Sequence, residues 1–123
     1  MRTFKDYRGR SWFDILPHLD GQIDITVNYP GTIRAFHCHH VKTEYMFVVR
    51  GEFKFVLSDP LETIYASAGD VVEITPRRWH GYQYLGSDEG IVMEYGTHKH
   101  DLTSPDDDRL PYQQFDDWTK EWK

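Results

Sequence analysis

A chain of 123 residues is long enough for one hydrophobic core of ordinary size, so residues 1–123 are expected to form a single domain. With 20 acidic against 14 basic side chains the formal net charge is −6, which argues against broad binding to nucleic acid. One cysteine excludes an intrachain disulfide framework, and no apolar run approaches the roughly 18 residues of a membrane span; a soluble, cytoplasmic protein is expected.

Residues 1–21, MRTFKDYRGRSWFDILPHLDG, are mixed and weakly periodic, and read as a short strand or arm broken at Pro17 and at Gly21. From Gln22 to Tyr29, Ile23, Ile25 and Val27 alternate with Asp24, Thr26 and Asn28, the pattern of a half-buried strand ended by Pro30 and Gly31. Further strands are expected near residues 32–38, 44–50, 52–58, 61–66, 70–75, 80–85 and 90–96. Turn signals stand at Arg50-Gly51, Asp59-Pro60, Gly69-Asp70 and Ser87-Asp88. Many short strands rich in Val, Ile, Phe and Tyr argue for an all-β, antiparallel double-sheet barrel or sandwich rather than parallel βαβ units. The acidic, proline-containing segment Asp101 to Pro111 reads as a surface loop. Beyond it Tyr112, Phe115, Trp118 and Trp122 recur every three or four residues, which predicts a short C-terminal helix covering one end of the barrel, or serving as an aromatic lid or dimer contact.

The chemistry concentrates in GTIRAFHCHHVKTEYMFVVRG, Gly31 to Gly51, which holds His37, His39, His40 and Glu44 within eight residues. In a strand, side chains alternate faces, so His37 and His39 point one way and Cys38 and His40 the other. Glu44 opens the next strand and returns beside the histidines if residues 40–43 form the turn. Two imidazoles and a carboxylate then converge as N/O donors for a divalent transition metal, with His80 in GDVVEITPRRWH as the remaining ligand. A lone strand histidine is more often a hydrogen-bonded structural residue; the cluster is what favours a metal. On the His80 strand, Tyr82 and Tyr84 share the histidine's face, as core aromatics or as hydroxyls lining the site. Ile33, Ala35, His37 and His39 share the ligand face, which puts Arg34 on the opposite one unless a bulge re-aims it. Arg8, Arg10, Arg34, Lys42, Arg50, Arg77 and Arg78 are the cations available to an anionic ligand, and most would be solvated surface charge.

The spacing Gly31, five residues, His37, one residue, His39, four residues, Glu44, six residues, Gly51 resembles the first motif of the cupin superfamily. Gly69 to His80 is similar to its second motif, with one extra residue before Pro76 and with Arg78 where a glycine is common. The chain further resembles sugar-nucleotide enzymes of the dTDP-4-dehydrorhamnose 3,5-epimerase group over about residues 4–100, through FKDYRG, GTIRAFH, VVRGEFKFVLSD and PRRWHGYQYLGSDE. That resemblance implies a catalytic base at His37 and nucleotide-sugar contacts at Arg8 and Arg34. It departs from those epimerases where His39 replaces their glutamine and Glu44 their lysine; both changes rebuild a metal donor set. Their acid tyrosine would fall near Met93 rather than on Tyr95, and the aspartate partner of the histidine has only Asp116 and Asp117 as candidates. The closer parallel is a metal-containing branch that includes the small cupin domain fused to capsular-sugar reductases, with a comparable H-x-H-H-x-K-x-E run.

The expected protein is therefore a jelly-roll cupin holding one Fe, Mn, Ni, Co or Zn through His37, His39, Glu44 and His80. It would enolise a nucleotide-linked 4-keto-6-deoxy sugar, with Tyr82 or Tyr84 returning a proton and with Arg8, Arg34 and Arg78 binding substrate. A ligating His37 has no lone pair left to act as the base, so these two roles exclude one another. A small iron-dependent dioxygenase and a non-catalytic sugar-binding cupin are the alternatives. A homodimer is expected, with the N-terminal strand covering a sheet edge across a two-fold axis.

Overall fold

The period-two alternation read in the sequence is realised as strands in this computed structural model, which describes residues 1–58, 60–99 and 107–109, residues 35, 36 and 107–109 by backbone alone. Among the described residues no helix forms, and none is long and apolar enough to cross a membrane. The strands are β1 (Arg2–Asp6), β2 (Gly9–Phe13), β3 (Gln22–Asn28), β4 (Ile33–His39), β5 (Glu44–Arg50), β6 (Glu52–Ser58), β7 (Glu62–Ser67), β8 (Val71–Ile74), β9 (Trp79–Tyr84), β10 (Gly90–Gly96) and β11 (Asp107–Arg109). The expected strands are all present, with ends moved by one residue at several places. The N-terminal arm is instead a complete hairpin, β1 paired with β2 around Tyr7 and Arg8. Its short strands carry too few apolar residues for a clear period, and pairing of β2 with β3 sets its place.

Two antiparallel sheets result, one of six strands in the order β1-β2-β3-β10-β5-β8 and one of five in the order β11-β4-β9-β6-β7. β11 lies within the segment expected to be a loop, and its backbone pairs with the edge of β4, opposite His37, Cys38 and His39. An open sheet edge offers unpaired N–H and C=O groups, and pairing them outweighs the poor strand propensity of an acidic sequence. The expected helix over Tyr112, Phe115, Trp118 and Trp122, and Asp59 of one expected turn, lie outside the described residues.

The apolar core gathers around Val48, Phe53, Phe55, Leu57, Val72, Ile74, Tyr84 and Val92. Full burial of each such side chain stabilises by about 1.5–3 kcal/mol. Gly51 closes the β5–β6 turn at φ +98, where a side chain would be strained, and a β-carbon there would stand 2.7 Å from the Tyr84 ring.

Along β3 the inner wall turns polar. Thr26 opposes Val92, which opposes the fully buried Val48, so Gln22, Asp24, Thr26 and Asn28 share the inner face of β3. The apolar members of the same alternation face outward. Trp12, Ile25, Met93, Phe47 and Val71 are successive cross-strand partners, a row across five strands of the outer face.

Candidate metal centre

Three neighbouring segments bring the four donors together. His37 and His39 come from the end of β4, Glu44 from the start of β5, and His80 from β9, where it is the direct cross-strand partner of His37. Their nearest ligand atoms all lie within 4.8 Å of one another, and His39, Glu44 and His80 are buried. The His37 ring centroid is 4.9 Å from that of His39 and 4.4 Å from that of His80. Cys38, on the other face of β4, is buried, forms no disulfide and stands outside the donor group.

Glu44 Oε1 lies 2.6 Å from His39 Nε2 and 3.2 Å from His80 Nε2. Burial pushes the Glu44 carboxyl up, but the imidazoles of His39 and His80 outweigh it and hold the group well below the usual carboxylate range. Glu44 is thus an anion at neutral pH, and among the described residues no donor reaches its buried second oxygen. His80 Nδ1 lies 3.0 Å from the Arg78 carbonyl, which can only accept, so Nδ1 donates there and Nε2 is the ring nitrogen turned to the centre. A buried imidazole nitrogen and a carboxylate oxygen face each other this closely only across a proton or a metal cation. A divalent transition metal fits this donor set: three imidazole nitrogens, one carboxylate, and a backbone carbonyl that orients one of the ligands.

The second motif reaches the centre by a strained turn. Arg77, not Arg78, adopts the left-handed conformation, at φ +66, and its N–H donates to the His39 carbonyl. That bond ties the β8–β9 loop to the ligand strand.

The bulge allowed for in the sequence exists. The β4–β9 register shifts between Arg34 and His37, so Arg34 opposes Tyr82 while His37 opposes His80, and both arginine and histidine face the same side. Arg34 Nε donates to Asn28 Oδ1 at 2.7 Å, and the Tyr82 hydroxyl donates to the same oxygen at 3.1 Å. Burial pulls the Arg34 guanidinium down and pushes the Tyr82 phenol up from their ordinary values. Arg8 belongs to this neighbourhood, held by Asp6 at 2.8 Å, and the Arg8 hydrogen bond lowers the Asp6 carboxyl.

Two other candidates stand apart from this group. Arg78 donates to the Pro60 carbonyl at 3.0 Å and lies 3.6 Å from Glu62, on the β7 side. Tyr84 donates its hydroxyl to Asp88 at 2.9 Å, in the loop before β10 that also salt-bridges Arg50. Asp116 and Asp117 lie outside the described residues. Sequence reasoning passed over Asn28, which joins Arg34 to Tyr82, and Glu94, on the inner face of β10 between Val92 and Gly96. The polar half of the β3 alternation was their signal, but alternation does not say which face is the lumen.

A family model describing the cupin domain matches residues 25–95. The chain belongs to the cupin family. This cupin is 25% identical over 99 residues to a probable low-salt glycan biosynthesis epimerase, Agl13, of Haloferax volcanii, covering 71% of this chain and 64% of that one. It is 32% identical over 92 residues to the UDP-2-acetamido-2,6-beta-L-arabino-hexul-4-ose reductase of Pseudomonas aeruginosa, covering 70% of this chain and 25% of the reductase. Among solved structures it superimposes with a TM-score of 0.80 on the capsular polysaccharide assembling protein CapF from Staphylococcus aureus, at 25% identity, covering 89% of this chain and 34% of CapF. The chain thus spans less than two thirds of each of these relatives, and only a quarter of the reductase.

Proposed function

We propose that this cupin is an epimerase or isomerase that enolises a nucleotide-linked 4-keto-6-deoxy sugar, with a divalent transition metal held by His37, His39, Glu44 and His80. The observation that carries this reading is the convergence of those four donors in a barrel whose relatives carry the names of a glycan-biosynthesis epimerase and a hexulose reductase. When bound, the metal, one of Fe, Mn, Ni, Co or Zn, would supply Lewis acidity toward the sugar's ketone.

The remaining steps belong to side chains. His37 is taken as a ligand, which removes it from the role of free base. Tyr82, on the His80 face and sharing Asn28 with Arg34, returns a proton to the carbon next to the ketone; it is preferred to Tyr84, whose hydroxyl points to Asp88 in the loop before β10. Arg34 and Arg8 offer positive charge to the nucleotide diphosphate, while the Arg78 guanidinium is directed at Pro60 and Glu62. The whole chain acts as a single domain, in the cytoplasm and as a homodimer. The apolar row Trp12, Ile25, Met93, Phe47 and Val71 on the outer face is the surface that favours pairing with a second copy.

The test is proton NMR of dTDP-, UDP- and CDP-linked 4-keto-6-deoxyhexoses in heavy water. Deuterium should enter at the carbon next to the ketone, C3 or C5, even where little net product accumulates. No carbon-bound deuterium with any of them, together with oxygen consumption on another substrate, would replace this reading with that of a dioxygenase.

A further inference from the structure

A buried lysine lies close to the metal donors. Lys42 is only 6% exposed, and among the described residues no carboxylate pairs with it and no acceptor takes its hydrogen bonds. Its side chain runs over Gly96, where a β-carbon would meet Lys42 Cδ at 3.5 Å and Nζ at 3.8 Å. Gly96 is the cross-strand partner of Glu44 and shares the inner face of β10 with the buried Val92. The ammonium therefore sits on the lumen side, next to the donor cluster. A cation on the wall of a largely enclosed lumen attracts an anion that arrives with the ligand.

Glu94 occupies the same face one step along β10. Its cross-strand partners are Asp24 on one side and the core residue Met46 on the other, and Met46 is the inner-face neighbour of Glu44. Such diagonal neighbours stand about 7–8 Å apart, within reach of long side chains. The other inward carboxylates near the site are engaged. Asp24 accepts from the Asp14 N–H and from Gln22, both at 2.9 Å, and Glu44 lies against two imidazoles. Glu94 is half-buried and, among the described residues, makes no hydrogen bond or ion pair. Gly96, with no side chain, makes room for Lys42 to lie over β10 two residues from Glu94.

We propose that Lys42 and Glu94 form the substrate-facing wall of the centre, Lys42 holding an anionic oxygen of the ligand and Glu94 acting as the base; this rests on the enolising reading above. In the step assigned to Glu94, the bond between hydrogen and the carbon next to the carbonyl breaks and the proton passes to the carboxylate. The freed electron pair forms the carbon–carbon double bond, and the carbonyl pair moves onto oxygen as an enolate, toward which the Lys42 ammonium is placed. Return of a proton to that carbon restores the ketone, with no oxidant or second reactant.

Two variants of the metal-loaded protein separate the parts. Oxalate, a small planar dianion, serves as the probe for Lys42 in calorimetry. Lys42→Met should weaken oxalate roughly 10- to 100-fold, the range of a hydrogen bond to a charged group, with metal content unchanged and partial recovery in Lys42→Arg. Glu94→Gln should leave oxalate affinity at or above the wild-type level while slowing heavy-water exchange of a 4-ketosugar by roughly 10² to 10⁴. Oxalate binding by Lys42→Met at wild-type affinity would overturn the lysine's part, as would loss of metal from that variant. Exchange by Glu94→Gln at the wild-type rate would overturn the carboxylate's part. If wild type itself exchanges nothing, the enolising reading and Glu94's role fall together, while the oxalate measurement still decides Lys42.

Discussion

His37 stands directly opposite His80 across the β4–β9 ladder, and the next register pair toward the start of β4 sets Arg34 opposite Tyr82. A single irregularity between them turns a cation and a metal donor of opposite parity onto one face. Tyr82 thereby comes within reach of the same pocket as the donors, sharing Asn28 with Arg34. Tyr82→Phe should slow epimerisation by roughly 10² to 10⁴ and heavy-water exchange much less, because only the second proton transfer needs that hydroxyl. Tyr84→Phe should leave both rates near wild type. The reverse pattern, measured by NMR on the two purified variants, would contradict the assignment.

Alkaline pH offers a check on the same two residues. Burial pushes both phenols, Tyr82 and Tyr84, above their ordinary value of 10.0. A group whose folded value is raised contributes stability that is complete below its unfolded value and is lost as pH rises through the folded one. Thermal stability should therefore decline above about pH 10. In phenolate absorbance two tyrosines should titrate later than the others, and Tyr82→Phe should remove one late component. Titration of every tyrosine near pH 10 in the folded protein would contradict the burial of these hydroxyls.

Much of this was legible in the sequence because period-two alternation and turn residues act locally. Strands β3 to β10 follow from Val, Ile, Phe and Tyr at alternate positions, and the donors follow from one turn between β4 and β5 plus His80. What could not be read depends on partners distant in the chain. The β1–β2 hairpin is set by β3, and β11 by the open edge of β4. The orientation of Arg34 hangs on an extra residue in a ladder whose other strand is β9, nearly fifty residues on. The inward side of β3 was equally hidden: Ile23 and Ile25 look like core residues, but β3 lies between β2 and β10 with its polar face on the lumen. Lys42 was counted among the available cations and stands in the H-x-H-H-x-K-x-E run, but nothing in its neighbours along the chain shows that it is buried.

The outer apolar row predicts its own consequence. Light scattering at micromolar concentration should give about twice the chain mass of 14.6 kDa. Met93→Lys, which puts a charge in the middle of that row between Ile25 and Phe47, should shift the protein toward monomer while leaving metal content unchanged. A wild-type protein that is monomeric throughout would contradict a dimer on this face.

The metal centre is tested most directly by native mass spectrometry with elemental analysis of gently purified wild-type protein and of His39→Gln/Glu44→Lys. The double variant places an amide and an ammonium where the epimerase-like pattern has them, and removes two of the four donors. Wild type should carry close to one equivalent of Fe, Mn, Ni, Co or Zn per chain, and the folded double variant none. Folded wild-type protein that holds no metal, and takes up none when these ions are supplied, would contradict the assignment of His37, His39, Glu44 and His80 as a metal centre.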